Sequence, residues 1–425
     1  MSKFKYVLLG NSAAAISAAE AIRSKDKQGT IAIVSAEDTP PYSPALTTYY
    51  ISGTISKDKI YYRPKEFYKK LNIETFLGKA ATEIDRSKKT VKLADGELLS
   101  YEKLLISIGG LPIEPDMPGV NLEGVFTLRT LEDAEKIKER AAEVKNAVIL
   151  GGGLVGLRSA YALHQLGLNV TIIVSSKRIL SQNLDAEAAK IMENWLREKH
   201  FEILTETDVK ALEGTKEVTK IKLMNGKEIP AGLVIIGKGV RPNISFAKAC
   251  GIETDRGILV NEAMQTSDKN IYAAGDVAQG LDKLLGKKVV NAIWPVATGQ
   301  GCIAGLNMAG ANEKYEGSMP MNSVDFYGLS ALSIGISNPR NEDDYEIEVT
   351  KEPARHIYRK LVLQKDVLVG AILVGDIDRA GIITGLIDEK VKVTNFKDTL
   401  LKNKFGLMVL PKALRESKIA QSAKS

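Results

Sequence analysis

The chain has 425 residues, 44% of them hydrophobic and 26% charged, a balance that excludes a largely disordered, fibrous or coiled-coil protein and leaves room, at about 150 residues per domain, for two or three domains. Lys and Arg exceed Asp and Glu by 58 to 52, and the resulting +6 is spread along the chain and not gathered in a basic arm, so no nucleic-acid partner is expected. The two cysteines, Cys250 and Cys302, have no pair spacing, and His164, His200 and His356 stand far apart. No metal site and no disulfide scaffold is therefore expected, and a reducing cytoplasm is the expected compartment.

From Ser2-Lys3 the chain runs directly into an apolar strand, about Phe4 to Leu9, with neither the apolar stretch nor the cleavage site of a signal peptide. A turn at Gly10-Asn11, a helix of small residues from Ser12 to Arg23 and the strand Ile31-Ala32-Ile33-Val34 complete a βαβ unit. The pattern returns from Asn146, with a strand Ala147 to Leu150, the turn Gly151-Gly152-Gly153, a helix through Leu166 and a strand Val170 to Val174. Two copies of one supersecondary unit make an internal repeat of long period. The longest run without a charged side chain, Val289 to Asn312, carries Asn291, Pro295, Gln300, Asn307 and several glycines, so it is not read as a membrane span.

In a dinucleotide-binding unit the first glycine permits the tight turn, the second lets the backbone approach the pyrophosphate, and the third allows close packing of helix on strand. Gly151-x-Gly153-x-x-Gly156 meets all three conditions, while the first copy reads Gly10-x-Ser12-x-x-Ala15, with small residues in place of two glycines. Glu37, just beyond the second strand, is placed to hold a ribose. A solvated loop glutamate is the alternative.

Further segments follow in order: Leu104 to Gly110, Leu128 to Ala134, Val240-Arg241-Pro242-Asn243, Ile271-Tyr272-Ala273-Ala274-Gly275-Asp276, Asn291 to Pro295, Ala304 to Gly310, Tyr358 to Val362 and Val369 to Asp376. With these the chain, from about residue 4 to 411, resembles the FAD-dependent pyridine nucleotide-disulfide oxidoreductase superfamily. Within it the chain is most similar to the branch of rubredoxin reductases, nitrite reductase flavin domains and flavoprotein subunits that link NAD(P) to iron-sulfur partners. The resemblance implies an α/β protein with two nested Rossmann-like nucleotide-binding domains plus an α+β C-terminal interface domain. An FAD-binding domain would comprise residues 1–117 and 240–316, a NAD(P)-binding domain 118–239, the interface domain 317–411 and a loose tail 412–425. It also implies FAD held by Gly10, Ser12, Ala15, Glu37, Ser43, Ala81, Gly109, Arg129, Gly275 and Asp276. Asp276 would lie on the ribityl and pyrophosphate side, and Arg129 on the phosphates or adenine unless it pairs with Glu132 or Asp133. Trp294 and Tyr327 would border the flavin ring or pack in the core. NAD(P)H would lie on Gly151, Gly153, Gly156, Ser175, Lys177, Arg178 and Gly239.

The sequence also departs from the family. Members that reduce disulfides carry redox cysteines after the ribose ligand, whereas in Pro41 to Gly53 that position falls on or near Ala45 and the segment holds no cysteine, which excludes thiol chemistry beside the flavin. Cys302 and Cys250 are expected to be small buried residues, and the three histidines surface or packing residues. The family's glutamate two residues after the third glycine, and its lysine near the flavin, are replaced by Arg158 and by Thr48 or Tyr49. Arg158 is thus the one candidate catalytic group, as a positive charge for reduced flavin, with a solvated helix arginine as the alternative. The second nucleotide strand ends in Val174 and not in the acid of NADH-specific members, and Lys177 and Arg178 leave NADPH or dual use open.

The function implied is an FAD-dependent NAD(P)H oxidoreductase of the electron-transfer type. It would exchange hydride between nicotinamide and flavin, and single electrons with an iron-sulfur or rubredoxin-like partner, alone or within a larger oxidoreductase complex. Direction and a homodimer stay open, and no membrane contact is expected. The alternatives are a stand-alone NAD(P)H oxidase or diaphorase, and a nucleotide-binding subunit that has lost nicotinamide activity.

Overall fold

A computed structural model describes residues 2–402, 405–406, 408, 410–412 and 415–416; most of the expected tail lies outside the described residues. Contacts divide the chain into two compact units. The first comprises Met1–Gly151, Val155–Ile173 and Thr207–Ser318, and the second Gly152–Leu154, Val174–Glu206 and Met319–Ser425.

In the first unit the strand Ser2–Leu9 lies between Ile31–Val34 and Leu98–Ile106 and runs parallel to both. Ile73–Phe76 extends the sheet beyond Ile31–Val34, while Thr90–Leu93 and Ala81–Asp85 continue it antiparallel on the other side. Ile271–Ala273 also pairs with Leu98–Ile106, so the chain returns late in the sequence to the sheet it began. All four residues of Ile31–Val34 are buried, and the unbroken apolar run is what a strand covered on both faces requires. On this sheet the helix Ala13–Lys25 packs against Trp294–Met308 almost backbone to backbone. A Cβ on Gly301 would lie 2.2 Å from the Ala14 carbonyl oxygen and one on Gly305 would lie 2.4 Å from that of Ala18. The i, i+4 spacing of small residues on both helices is the sequence condition for that approach.

The second copy of the pattern, apart from Gly152–Leu154 and Val174, also lies in this unit. Asn146–Leu150 runs parallel to and between Asn169–Ile173 and Leu233–Ile236, with Val125–Phe126 beyond the latter. The two copies share one construction. Gly10 N–H donates to Val34 C=O at 2.8 Å and Ser107 N–H to Leu9 C=O at 2.9 Å; their counterparts are Gly151 to Ile173 at 2.9 Å and Gly237 to Leu150 at 2.8 Å. A short antiparallel ribbon, Gly110–Pro112 with Val240–Pro242, links the segments around the second copy.

The second unit holds a five-stranded antiparallel sheet in the order Met321–Phe326, Leu329–Gly335, Val367–Val374, Ile357–Gln364, Glu346–Glu352. The helix Ala186–Glu198 joins it: Trp195 Nε1–H donates to Phe326 C=O at 2.8 Å, and Lys351 pairs with Glu187. With the helix Ala380–Asp388 also in contact with Val367–Val374, this part of the chain is α+β and the whole is an α/β fold. Among the described residues no helix is long and apolar enough to cross a membrane, and no group of three or more His, Cys, Asp or Glu is placed to hold a metal ion.

Candidate functional site

The first glycine turn is shaped for a close approach. Gly10 has φ +120°, and a Cβ there would lie 2.4 Å from the Ser107 carbonyl oxygen. Ser12 follows in extended backbone with an exposed side chain that makes no capping bond, so the first N–H groups of Ala13–Lys25 have no side-chain acceptor. Ala15 is buried where the third glycine would stand. An unclaimed helix N-terminus after a glycine turn suits a pyrophosphate, through both its N–H groups and the helix dipole.

Four further residues expected at the FAD converge beside this turn. Arg129 Nη2 lies 3.3 Å from Asp276 Oδ2, each side chain about three-quarters or two-thirds buried. Gly109, at φ +70°, makes room for the guanidinium, because a Cβ there would lie 2.6 Å from Arg129 Nη2. Gly275, at φ +80°, donates its N–H to Gln300 Oε1 at 2.9 Å, and a Cβ on it would lie 3.3 Å from that of Ala14. Arg129 thus pairs across 147 residues with Asp276, while Asp133 is engaged by the backbone N–H groups of Arg129 and Thr130, each at 2.9 Å, in a capping box.

Glu37 is held by a residue to which the sequence analysis gave no role. Tyr42, 8% exposed, donates its O–H to Glu37 Oε2 at 2.8 Å and accepts the Leu131 N–H at 3.1 Å. Burial, and then the neighbouring Glu37 charge, push the Tyr42 hydroxyl far above the usual tyrosine range, so it stays a donor. Gln300, 2% exposed, was likewise overlooked as a partner of Gly275. A hydroxyl-bearing aromatic five residues after a strand-end acid was the available signal for Tyr42; nothing local marked Gln300.

In the second turn Gly151 has φ +132°, and a Cβ there would lie 2.2 Å from the Gly237 carbonyl oxygen, as Gly10 does at Ser107. A Cβ on Gly156 would lie 2.2 Å from the Gly151 carbonyl oxygen, whereas one on Gly153 would meet nothing within 4 Å. Two glycines are therefore required by the protein itself, and the third leaves open space where a phosphate would come. On the helix Leu154–Gln165 that follows, Arg158 reaches the segment that lacks the redox cysteine. Its Nη2 is 3.5 Å from Thr48 Oγ1, and its Cζ lies 4.3 Å from the Tyr49 ring centre and 5.6 Å from that of Tyr161. Thr48 is buried and Ala45 is exposed in the adjoining turn Pro44–Leu46.

The other expected residues are more scattered. Ser43 donates its N–H to Ile60 C=O at 3.0 Å, and Ala81 opens the strand Ala81–Asp85 against the core of the first sheet. Trp294 stands edge-on to Tyr62, ring centres 5.0 Å apart. Gly239, exposed and at φ +104°, accepts the Ile113 N–H at 2.9 Å. Ser175 and Lys177 are exposed, and Arg178 Nε donates to Leu184 C=O at 3.3 Å. Tyr327 belongs to the second unit, in a hairpin turn at φ +52° with its ring 6.4 Å from that of Phe201. His356 is in edge contact with Trp195. One expectation fails: Cys302 is exposed and Cys250 only half-buried. The buried face of Trp294–Met308 is carried by Gly301, Ala304 and Gly305, and at 100° per residue position 302 turns away from it.

Two glycine turns of one construction, one joined by an arginine–aspartate pair and both opening at helix N-termini, define a flavin- and nicotinamide-dependent oxidoreductase. The chain belongs to the pyridine nucleotide-disulphide oxidoreductase family, whose model matches residues 4–301; residues 320–391 match the rubredoxin NAD+ reductase C-terminal domain. It is 35% identical over 403 residues, 94% of this chain and 95% of the relative, to the epsilon subunit of NADH-dependent phenylglyoxylate dehydrogenase of Aromatoleum evansii. Among solved structures it resembles NADH:rubredoxin oxidoreductase from Clostridium acetobutylicum, with 28% identity, TM-score 0.78, 95% of this chain and all of that one covered. It also resembles putidaredoxin reductase in its covalent complex with putidaredoxin, with 27% identity, TM-score 0.86 and both chains fully covered. FAD and NAD(P)H are the cofactors of the enzyme.

Proposed function

We propose that this chain exchanges hydride with NAD(P)H at an FAD lying on the first glycine turn, and exchanges electrons singly with an iron-sulfur or rubredoxin-like protein. The observation that carries the second half is the turn Pro44–Leu46, where exposed Ala45 stands in the place of a redox cysteine. Cys302 and Cys250 offer no substitute: neither lies in this turn, and the Cys250 Sγ is 3.1 Å from its own helix carbonyl at Ala247. Bound FAD supplies the conversion between paired and single electrons. The chain's own residues bind and orient: Ser12 and the helix start receive the pyrophosphate, Glu37 the ribose, and Asp276, fixed by Arg129, the ribityl side. Ser43, Ala81, Gly109, Gly275 and Trp294 complete the FAD site, and Gly151, Gly153, Gly156 and Gly239 the nicotinamide site, within the four-part division at residues 117, 239 and 316. The relatives named for rubredoxin and putidaredoxin support the class of partner, and the relative named as a dehydrogenase subunit supports work within a larger oxidoreductase complex.

An anaerobic titration with NADH and with NADPH tests the first half, and bleaching of the oxidised flavin band is expected. A comparison of rubredoxin, a [2Fe-2S] ferredoxin and oxygen as acceptors tests the second. Oxygen turnover above that with either iron protein would refute it in favour of an oxidase.

Arg158 is assigned a role at the flavin through Thr48 and Tyr49. Stacking on Tyr49 limits its freedom, so its charge is held and not merely solvated. In Arg158→Gln the flavin midpoint potential is expected to fall, because reduction adds negative charge that the guanidinium no longer offsets. An unchanged potential would leave Arg158 a packing residue only.

A further inference from the structure

The backbone that carries Asp276 is held from behind. Gln300, on the helix Trp294–Met308, is buried and takes the Gly275 N–H at 2.9 Å. The next two N–H groups, of Asp276 and Val277, meet no acceptor among the described residues, although Val277 is fully buried. Buried N–H groups are rarely left unpaired, so Gln300 claims one of three consecutive donors for the protein and leaves two for a ligand.

A carboxamide can serve Gly275 in one sense only. A backbone N–H donates, so Gln300 Oε1 faces it and Nε2 faces away. There Nε2 meets the Tyr315 hydroxyl, which also receives the hydroxyl of Ser318. Burial raises the Tyr315 hydroxyl above its ordinary range while these two bonds pull it down, as donors to its oxygen do. A Cβ on Gly280 would lie 3.0 Å from Gln300 Nε2 and 3.7 Å from Tyr315 Cε1, so the strand Ala278–Asp282 leaves the space in which the two meet.

Tyr315 is fixed in its turn. Its N–H donates to Glu262 C=O at 2.7 Å. On its far side buried Ser318 accepts Asn291 Nδ2 at 2.9 Å, and the same nitrogen donates to Asp282 Oδ2 at 3.1 Å. Asp282 is 1% exposed, and its Oδ1 accepts the N–H groups of Leu284 and Leu285 at 2.9 and 3.0 Å. A carboxylate only accepts, so the Asn291 amide donates and the Ser318 proton is left for Tyr315. A network satisfied throughout in this way holds each of its members in one orientation.

We propose that Tyr315 is a positioning residue of the flavin site: acting through Gln300 and not on the cofactor, it keeps the Gly275 N–H engaged and so fixes Asp276 and Val277 for FAD. The proposal rests on the reading that FAD lies against Gly275 and Asp276.

Hydrogen–deuterium exchange of the parent chain with and without FAD tests that reading. FAD should slow exchange in peptides spanning Gly275 by about tenfold or more, and no slowing would remove the reading and the proposal together. In Tyr315→Phe the buried Gln300 Nε2 loses its acceptor. FAD should then be released about tenfold more readily, and exchange at Gly275 in the flavin-loaded chain should rise by about the same factor while the strand Ser2–Leu9 keeps its protection. Gln300→Leu removes the bond to Gly275 directly, and Tyr315→Phe added to it should cost nothing more, because Tyr315 has nothing left to hold. With the parent protected by FAD, three results would each overturn the proposal and leave the FAD site standing: unchanged FAD release in Tyr315→Phe, losses that multiply in the double variant, or exchange that rises equally in Ser2–Leu9.

Discussion

Replacing Asp185 with alanine should cost the second unit a large share of its stability, and the structure sets out why. Asp185 Oδ1 accepts the Ala188 N–H at 3.0 Å and caps the helix Ala186–Glu198, a bond worth about 1 kcal/mol. Its Oδ2 accepts the Tyr358 O–H at 2.7 Å and lies 3.3 Å from Lys360 Nζ. Burial, and then the bond to Asp185, hold the Tyr358 hydroxyl well above its ordinary range, so it remains a donor. Lys360 is 3% exposed, and its next carboxylate, on Glu342, is 3.9 Å away and 63% exposed. Removing Asp185 therefore strands a buried ammonium, at about 3–5 kcal/mol. With the cap the loss is about 4–6 kcal/mol, against the 5–15 kcal/mol or so of a typical domain. Lys360→Met added to Asp185→Ala removes the stranded charge, so the double variant should be more stable than Asp185→Ala alone. Urea unfolding followed by Trp195, which sits on the capped helix, reports the unit directly when Trp294 is replaced by phenylalanine. A loss below about 1 kcal/mol for Asp185→Ala, or a double variant less stable than the single one, would refute the reasoning.

Tyr42→Phe deprives the Glu37 carboxylate of its bond and leaves the buried Leu131 N–H without an acceptor. FAD should dissociate about tenfold more readily, with a stability loss of about 1–3 kcal/mol; FAD release followed by its fluorescence checks this, and unchanged affinity would show that Glu37 needs no support. Asp26 accepts Lys5 Nζ at 2.7 Å, Tyr6 O–H at 2.8 Å and the Gly29 N–H at 2.8 Å, and the Lys5 bond, then that of Gly29, hold its carboxyl well below the usual range. The unfolded chain then binds the proton first as pH falls, so the contribution of Asp26 is complete above about pH 4 and is lost below it. The Tm difference between the parent chain and Asp26→Asn should shrink below that pH, and a difference constant from pH 2 to 7 would contradict it.

What could be read in advance was local. Gly10 and Gly151 are each demanded by a carbonyl at the end of a neighbouring strand, Ser107 and Gly237, and a strand, a glycine turn and a small-residue helix announce that demand within about 20 residues. The Arg129–Asp276 pair was within reach only as two ordered motifs, since nothing in either segment says that 147 residues of chain bring them together. Cys302 was misjudged because an almost uncharged helix gives no periodicity from which to choose its buried face; the choice is made by Ala14 and Ala18 on the opposing helix. Tyr358, Arg359 and Lys360 defeat pattern reading in another way. All three are buried in the strand Ile357–Gln364, with Tyr358 and Lys360 turned to Asp185 and Arg359, on the alternate face, bonded to Asp376 at 2.6 Å and to Leu401 C=O at 3.2 Å. Alternation predicts polar residues facing water, and here both faces are covered by partners distant in sequence.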